Sequence, residues 1–99
     1  MVDSKTLIWS APAISDLKNI YLYIAADSIK NAKKLRNTIL QKPTILLNPA
    51  FENIGQIEPY NSQLRYLIEG NYKILYQILP EHILIVRVFH CSQNPIVLL

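Results

Sequence analysis

Ninety-nine residues, 51% of them hydrophobic and 17% charged, suffice for one packed domain and leave no room for a second core. A net charge of +3 allows contact with nucleic acid or an acidic partner, but there is no dense Lys/Arg stripe of the kind a sequence-reading DNA-binding helix carries. No apolar run approaches the roughly 20 residues a membrane span needs, and Met1 to Lys5 holds no signal-like apolar segment, so a cytoplasmic protein without membrane contact is expected.

Thr6 to Trp9 is a short β-prone run and the expected first strand. Ser10 is placed to N-cap the following helix, its hydroxyl accepting from a free N–H of a first turn that also tolerates Pro12. Ile14, Leu17, Ile20, Tyr21, Ile24 and Ala25 recur at three- and four-residue spacing, which predicts one apolar face of a helix ending near Ala26. Asp27 or Ser28 can cap a second helix whose apolar face carries Ile29, Ala32, Leu35, Ile39 and Leu40. Lys30, Lys33, Lys34 and Arg36 read as its solvated face. Pro43 should stop or kink it, because the ring clashes with the Ile39 carbonyl and supplies no N–H. Thr44 to Leu47 can add one further turn. Helices this close in sequence should form an antiparallel hairpin. Asn48 to Ser62, with Pro49, Gly55 and Pro59, reads as a loop returning to a sheet.

Two strand hairpins follow. Gln63 to Glu69 and Tyr72 to Leu79 flank a Gly70-Asn71 turn compatible with type II′, which sets Glu69 opposite Tyr72 and Arg65 opposite Tyr76. A Pro80-Glu81 turn would set Leu79 opposite His82. Strict alternation then puts Arg65, Tyr72, Ile74, Tyr76, Ile85, Arg87 and Phe89 on one face. The other face receives Leu64, Tyr66, Lys73, Leu75, Val86, Val88 and His90. Both faces are largely apolar. One is expected to pack under the helices and the other to stay exposed in an isolated chain as a partner surface.

Trp9-Ser10-x-x-Ala13-x-x-Asp16-Leu17-x-x-Ile20-x-x-Tyr23-Ile24-Ala25 opens a pattern that continues through Ala32, Leu47-Asn48-Pro49 and Gly55. It ends with Arg65, Tyr72-Lys73-Ile74-Leu75-Tyr76 and Val88-Phe89-His90. This order and spacing resembles the RelE/ParE superfamily of bacterial toxins, the toxin halves of type II toxin–antitoxin modules, over nearly the whole chain. The resemblance implies an α+β fold: an N-terminal strand and an antiparallel helix hairpin packed on a small antiparallel β-sheet meander. It also implies neutralisation by a cognate antitoxin protein, whose C-terminal segment occupies apolar grooves as a helix or an added strand. RelE-like members cut mRNA on the ribosome. ParE-like members inhibit DNA gyrase and carry no hydrolytic chemistry.

Cutting RNA through its 2′-hydroxyl needs a base, a stabiliser for the phosphorane and an acid for the leaving oxygen. Lys73 and His90 are the candidate catalytic residues for that branch. The segment Cys91-Ser92-Gln93-Asn94-Pro95 supplies no Arg, and the apolar tail Ile96 to Leu99 no Tyr. The pattern therefore resembles the ParE-like branch more closely. The endoribonuclease remains an alternative, as does a toxin-like domain that only binds its antitoxin. Arg65, Arg87, Tyr72 and Tyr76 are candidate contacts to target or antitoxin. Their alternatives are ion pairs or carbonyl bonds at the sheet edge for the arginines, and core or groove lining for the tyrosines. His90 has a hydrogen-bonded structural role as its alternative, Trp9 reads as packing, and Cys91 as incidental. The lone cysteine makes neither an internal disulfide nor a metal cluster, and no cofactor is expected.

Overall fold

Ser10 turns the first strand into the first helix. In the computed structural model, which describes residues 5–93, strand β1 (Thr6–Trp9) ends beside it and helix α1 (Ala11–Ala25) begins after it. The Ser10 backbone is extended and its Oγ accepts the Ala13 N–H at 3.1 Å, as an N-cap requires. Ser28, rather than Asp27, caps helix α2 (Ile29–Gln41), accepting from the Asn31 N–H at 3.1 Å. Before Pro43 the α-helical pattern stops, and the chain tightens into a 3-10 helix (Lys42–Leu47), then into a second one (Pro49–Phe51) capped by Asn48.

The supposed loop beyond contains a strand. β2 (Gln56–Glu58) pairs with β3 (Asn61–Glu69), which is followed by β4 (Tyr72–Ile78) and β5 (His82–His90). The sheet order is β1-β5-β4-β3-β2. β1 runs parallel to β5 and the other neighbours are antiparallel, so the sheet is mixed. The helices and the other strands lie between β1 and β5 in sequence, which supplies the long connection a parallel pair needs. The apolar tail from Ile96 lies outside the described residues.

The main core lies between the helices and one sheet face. Ala13, Leu17, Ile39 and Leu46 meet Leu67, Ile74, Tyr76, Ile83, Ile85 and Val88. Each large aliphatic side chain among them contributes about 1.5–3 kcal/mol by leaving water. Ile14 and Ile29, expected on the buried helix faces, are 58% and 60% exposed. Ala13, next to Ile14, is buried instead at 0% exposure, while on α2 Ala32, a member of the expected face, is buried at 1%. Leu40 also lies outside the core.

The first strand hairpin has the register its turn dictates: Glu69 pairs with Tyr72 and Arg65 with Tyr76. Gly70 has φ 58°, the left-handed backbone that the first central position of a II′ turn needs. The second hairpin begins as expected, with the Leu79 N–H donating to the His82 carbonyl at 2.9 Å and Tyr76 opposite Ile85. It then departs. Leu75 pairs with Arg87, leaving Val86 as an extra residue in a β-bulge, and Ile74 pairs with Val88 and Tyr72 with His90.

Strict alternation therefore fails beyond Ile85. Val88 joins the helix-side core, and Phe89 joins Leu64 and Leu75 on the opposite face. The cause is visible along the edge of β5 beyond Ile85. β1 pairs only as far as Trp9 opposite Ile85, and from there α1 takes its place. Ser10 N–H donates to the Ile85 carbonyl at 3.0 Å and Ser10 Oγ donates to the Val86 carbonyl at 2.8 Å. Asp16 Oδ2 accepts the Val88 N–H at 2.9 Å. Side chains satisfy what a strand would have bonded, so an extra residue fits.

The second face is not the open apolar surface that alternation suggested. Leu64, Leu75 and Phe89 are buried there, with Tyr66 and Val86 packed against them. The Lys73 ammonium lies 4.3 Å from the centre of the Tyr66 ring, over the same patch.

Candidate functional site: a groove between the first helix and the strand ends

The bulge builds a groove. Arg87 reaches α1, donating from Nε to Asp16 Oδ2 at 2.7 Å and from Nη2 to Asp16 Oδ1 at 2.8 Å. This fork matches guanidinium to carboxylate and is largely shielded from water, with side-chain exposures of 23% for Arg87 and 14% for Asp16. The hydrogen bonds to Asp16 raise the Arg87 pKa further above its usual value, outweighing the opposing effect of burial. One carboxylate thus anchors both a guanidinium and the Val88 backbone.

The same register shift puts His90 across from Tyr72, their rings 5.4 Å apart at 83°, edge to face. The Ser92 N–H donates to His90 Nδ1 at 3.1 Å, and Ser92 Oγ lies 2.7 Å from the same atom. With Nδ1 accepting, the proton of the neutral ring belongs on Nε2. The His90 N–H donates to Gln93 Oε1 at 3.0 Å, and the Cys91 N–H to the Asn71 carbonyl at 2.7 Å, which ties the chain after β5 to the first hairpin turn. Between these groups and α1 runs an open groove of about 720 Å³. Asn19 and Tyr23 stand on the helix wall, Tyr72 and His90 on the strand wall, and Asn71 at the hairpin turn. Burial, with a smaller contribution from Tyr23, raises the Tyr72 pKa, so its phenol stays neutral at physiological pH.

The remaining expected site residues lie elsewhere. Lys73 pairs with Phe89 while Tyr72 pairs with His90, so Lys73 and His90 project from opposite faces of the sheet. The alternation that would have put them on one face is overturned by the bulge. Arg65 donates through Nη1 to the Gly55 carbonyl at 2.8 Å and to the Asn53 carbonyl at 3.2 Å. Tyr76 is fully buried; its hydroxyl donates to the Glu52 carbonyl at 2.9 Å and accepts the Gly55 N–H at 3.0 Å. Together they staple the chain from Glu52 to Gly55 onto the sheet, and Tyr76 presents no surface to a partner.

Gly55 is required there by space. A Cβ would lie 2.5 Å from the Tyr76 hydroxyl and 2.8 Å from the Tyr66 carbonyl oxygen. Glu58 is also buried, but it sits on edge strand β2, outside the groove.

Ser10 and Asp16 are the residues whose site role sequence reasoning missed. The available signal was a carboxylate three residues after Ala13 and four before Ile20, on the side of α1 that carries its core residues. Among the described residues, no three of His, Cys, Asp and Glu cluster to hold a metal ion, and no helix is long and apolar enough to cross a membrane.

Comparison with known proteins agrees with this architecture. Residues 7–95 match the family described as ParE toxin of the type II toxin-antitoxin system, parDE. Among solved structures, the chain is similar to the chromosomal ParDE TA system from P. aeruginosa, at 22% identity and a TM-score of 0.78, over 90% of this chain and 98% of that one. It is also similar to the toxin-antitoxin complex RelBE2 from Mycobacterium tuberculosis, at 20% identity and a TM-score of 0.55, over 88% of this chain and 98% of that one. No curated protein matches it. The structural likeness carries the fold and the match over residues 7–95 carries the family: this chain belongs to the ParE toxins of type II toxin–antitoxin systems.

Proposed function

We propose that this chain arrests bacterial growth by binding and inhibiting DNA gyrase in the cytoplasm, that a cognate antitoxin neutralises it, and that it cuts no RNA. The observation carrying the last part is the separation of Lys73 from His90 by the sheet. In-line attack by a 2′-hydroxyl needs base, acid and positive charge around one phosphate. Here the Lys73 ammonium lies over the Tyr66 ring on one face, and His90 is bonded to Ser92 beside the groove on the other. Membership of the ParE family supports gyrase as the target and an antitoxin as the partner.

The test is tightly controlled expression in a bacterial host with pulse labelling of DNA and protein synthesis. DNA synthesis should fall first, with filamentation, and purified protein should inhibit supercoiling by gyrase. Lys73→Ala should keep full growth arrest. Early loss of protein synthesis with cut mRNA, abolished by both Lys73→Ala and His90→Ala, would replace this reading with the endoribonuclease. Soluble protein without any growth effect would instead identify a domain that only binds its antitoxin.

A further inference from the structure

We propose that the outward face of helix α2 binds the phosphate backbone of duplex DNA without reading its sequence. The choice of DNA as the polyanion rests on the reading above, in which the chain works on an enzyme that handles duplex DNA. The charge pattern that calls for a polyanion does not depend on it.

The positive charge of the chain is concentrated in one segment. Residues 28–42 hold five of the ten Lys and Arg, namely Lys30, Lys33, Lys34, Arg36 and Lys42, while all seven Asp and Glu lie outside them. Lys42 reaches Glu69 at 3.7 Å, and Arg36 lies over the Tyr21 ring at 5.1 Å. Among the described residues, ion pairs join Lys5 to Glu52, Lys42 to Glu69 and Arg87 to Asp16, so Lys30, Lys33 and Lys34 enter none. All three are exposed. At about 100° per residue, they share one arc of α2 with Asn37 and Gln41, opposite the buried Ala32 and Ile39. None of the five is acidic, aromatic or apolar.

Folding does not account for this pattern. Lys30 stands in the first turn of α2, where the helix dipole favours a carboxylate, and that turn contains none. Lys33 and Lys34 follow it at three and four residues, the spacing at which like charges on a helix repel. Asp27, the nearest carboxylate in sequence, precedes the cap and forms no ion pair with them. A local rule broken with no gain to the fold points to a ligand of opposite charge.

The same arc separates the polyanions. An acidic protein segment, an antitoxin's included, would meet only Lys, a side chain depleted from protein interfaces, with no apolar anchor among the charges. A membrane surface needs an apolar face beside the cations, and Ala32 and Ile39 of α2 are buried. A single nucleic-acid strand is gripped by stacking on aromatic rings, which the arc lacks. A duplex backbone asks for what is present: cations that each compensate a phosphate, with the Asn37 and Gln41 amides as further donors. Flexible lysines hold no fixed fork of donors, so no base sequence is selected.

The experiment is titration of a labelled twenty-base-pair DNA duplex with the purified full chain, followed by fluorescence anisotropy at about 50 to 200 mM salt. A Lys30→Gln/Lys33→Gln/Lys34→Gln triple variant and a Lys5→Gln control run in parallel. The triple variant should bind at least about tenfold more weakly at low salt, and its log–log salt slope should shrink by roughly one for each lysine removed. Lys5→Gln should bind like wild type. Thermal unfolding checks the fold, and at low salt the triple variant should melt no lower than wild type.

Absence of binding at low salt, a triple variant that binds like wild type, or an equal loss in Lys5→Gln would overturn the proposal. A lower melting temperature of the triple variant would do so too, because the lysines would then serve the fold. Tighter binding of the single strand, or competition by a twenty-residue polyglutamate as strong as that of unlabelled duplex, would also overturn it. Wild-type protein that leaves gyrase supercoiling untouched would sink the functional reading alone, since the titration contains no gyrase.

Discussion

The two strand hairpins share β4 but obey different masters. The first is set by its own turn: Gly70 takes φ 58°, and every pair from Glu69–Tyr72 to Arg65–Tyr76 follows in step. The second starts in step at Ile78–Ile83 and is then diverted at Val86 by two side chains, Ser10 at the cap of α1 and Asp16 within it. Local chemistry determines one register and remote chemistry the other. Only the remotely set hairpin carries His90 to the groove, so the strand wall of the groove is the part of the sheet that its own sequence specifies least.

Substitutions can break this contrast. Asp16→Ala should have the largest effect, about 3 kcal/mol of lost stability, because it removes the carboxylate from a shielded Arg87 and the acceptor from the Val88 N–H. Urea unfolding gives the loss. If the bulge depends on Asp16, the nuclear Overhauser contact between the His90 and Tyr72 rings should weaken as well. Gly70→Ala should cost about 1.5 kcal/mol, since an L-residue is strained at φ 58° even though nothing lies within 4 Å of the added Cβ. The His90–Tyr72 contact should survive that change, and its loss would show that the hairpins are not independently set.

Ser10→Ala should cost about 1 kcal/mol, removing the helix cap and the bond to the Val86 carbonyl. The smallest quantities sharpen the contrast most. A Ser10→Ala/Asp16→Ala cycle should show coupling of about 0.5–1 kcal/mol, because both side chains hold one bulge. A Gly70→Ala/Asp16→Ala cycle should be additive within about 0.5 kcal/mol.

The same contrast explains what could be read from the chain. Turn and cap chemistry is local, so Gly70-Asn71, Ser10, Ser28 and Pro43 indicate where elements begin, end and turn. Helix faces were legible except where Ala13 occupies a core position beside the larger Ile14, and where Ile29 lies outside the core that Ala32 of the same expected face enters. Hydrophobicity then points to Ile14 and Ile29, while close packing favours the small residues. Strand β2 was hidden because three residues among Pro and Gly carry too little alternation, and they pair only once β3 is present. The bulge was hidden because its determinants lie 71–76 residues away. One extra residue reverses every face assignment after it, and that step moved His90 away from Lys73.

The parallel pairing of β1 with β5 also has a temporal side. β1 is synthesised before the helices, yet among the described residues its only strand neighbour is the last strand of the sheet, with Thr6 opposite His82. Translation adds about 5–20 residues per second, so seconds pass in which the nascent chain holds α1 and α2 but not the strand that Ser10 and Asp16 clasp. A polypeptide interrupted before Ile83 lacks Ile83, Ile85 and Val88 of the core beneath the helices, and the His90 wall. If the chain acts as proposed above, premature products of this message should be harmless, and competence to act should come only when the distal end of the chain closes back on the proximal one.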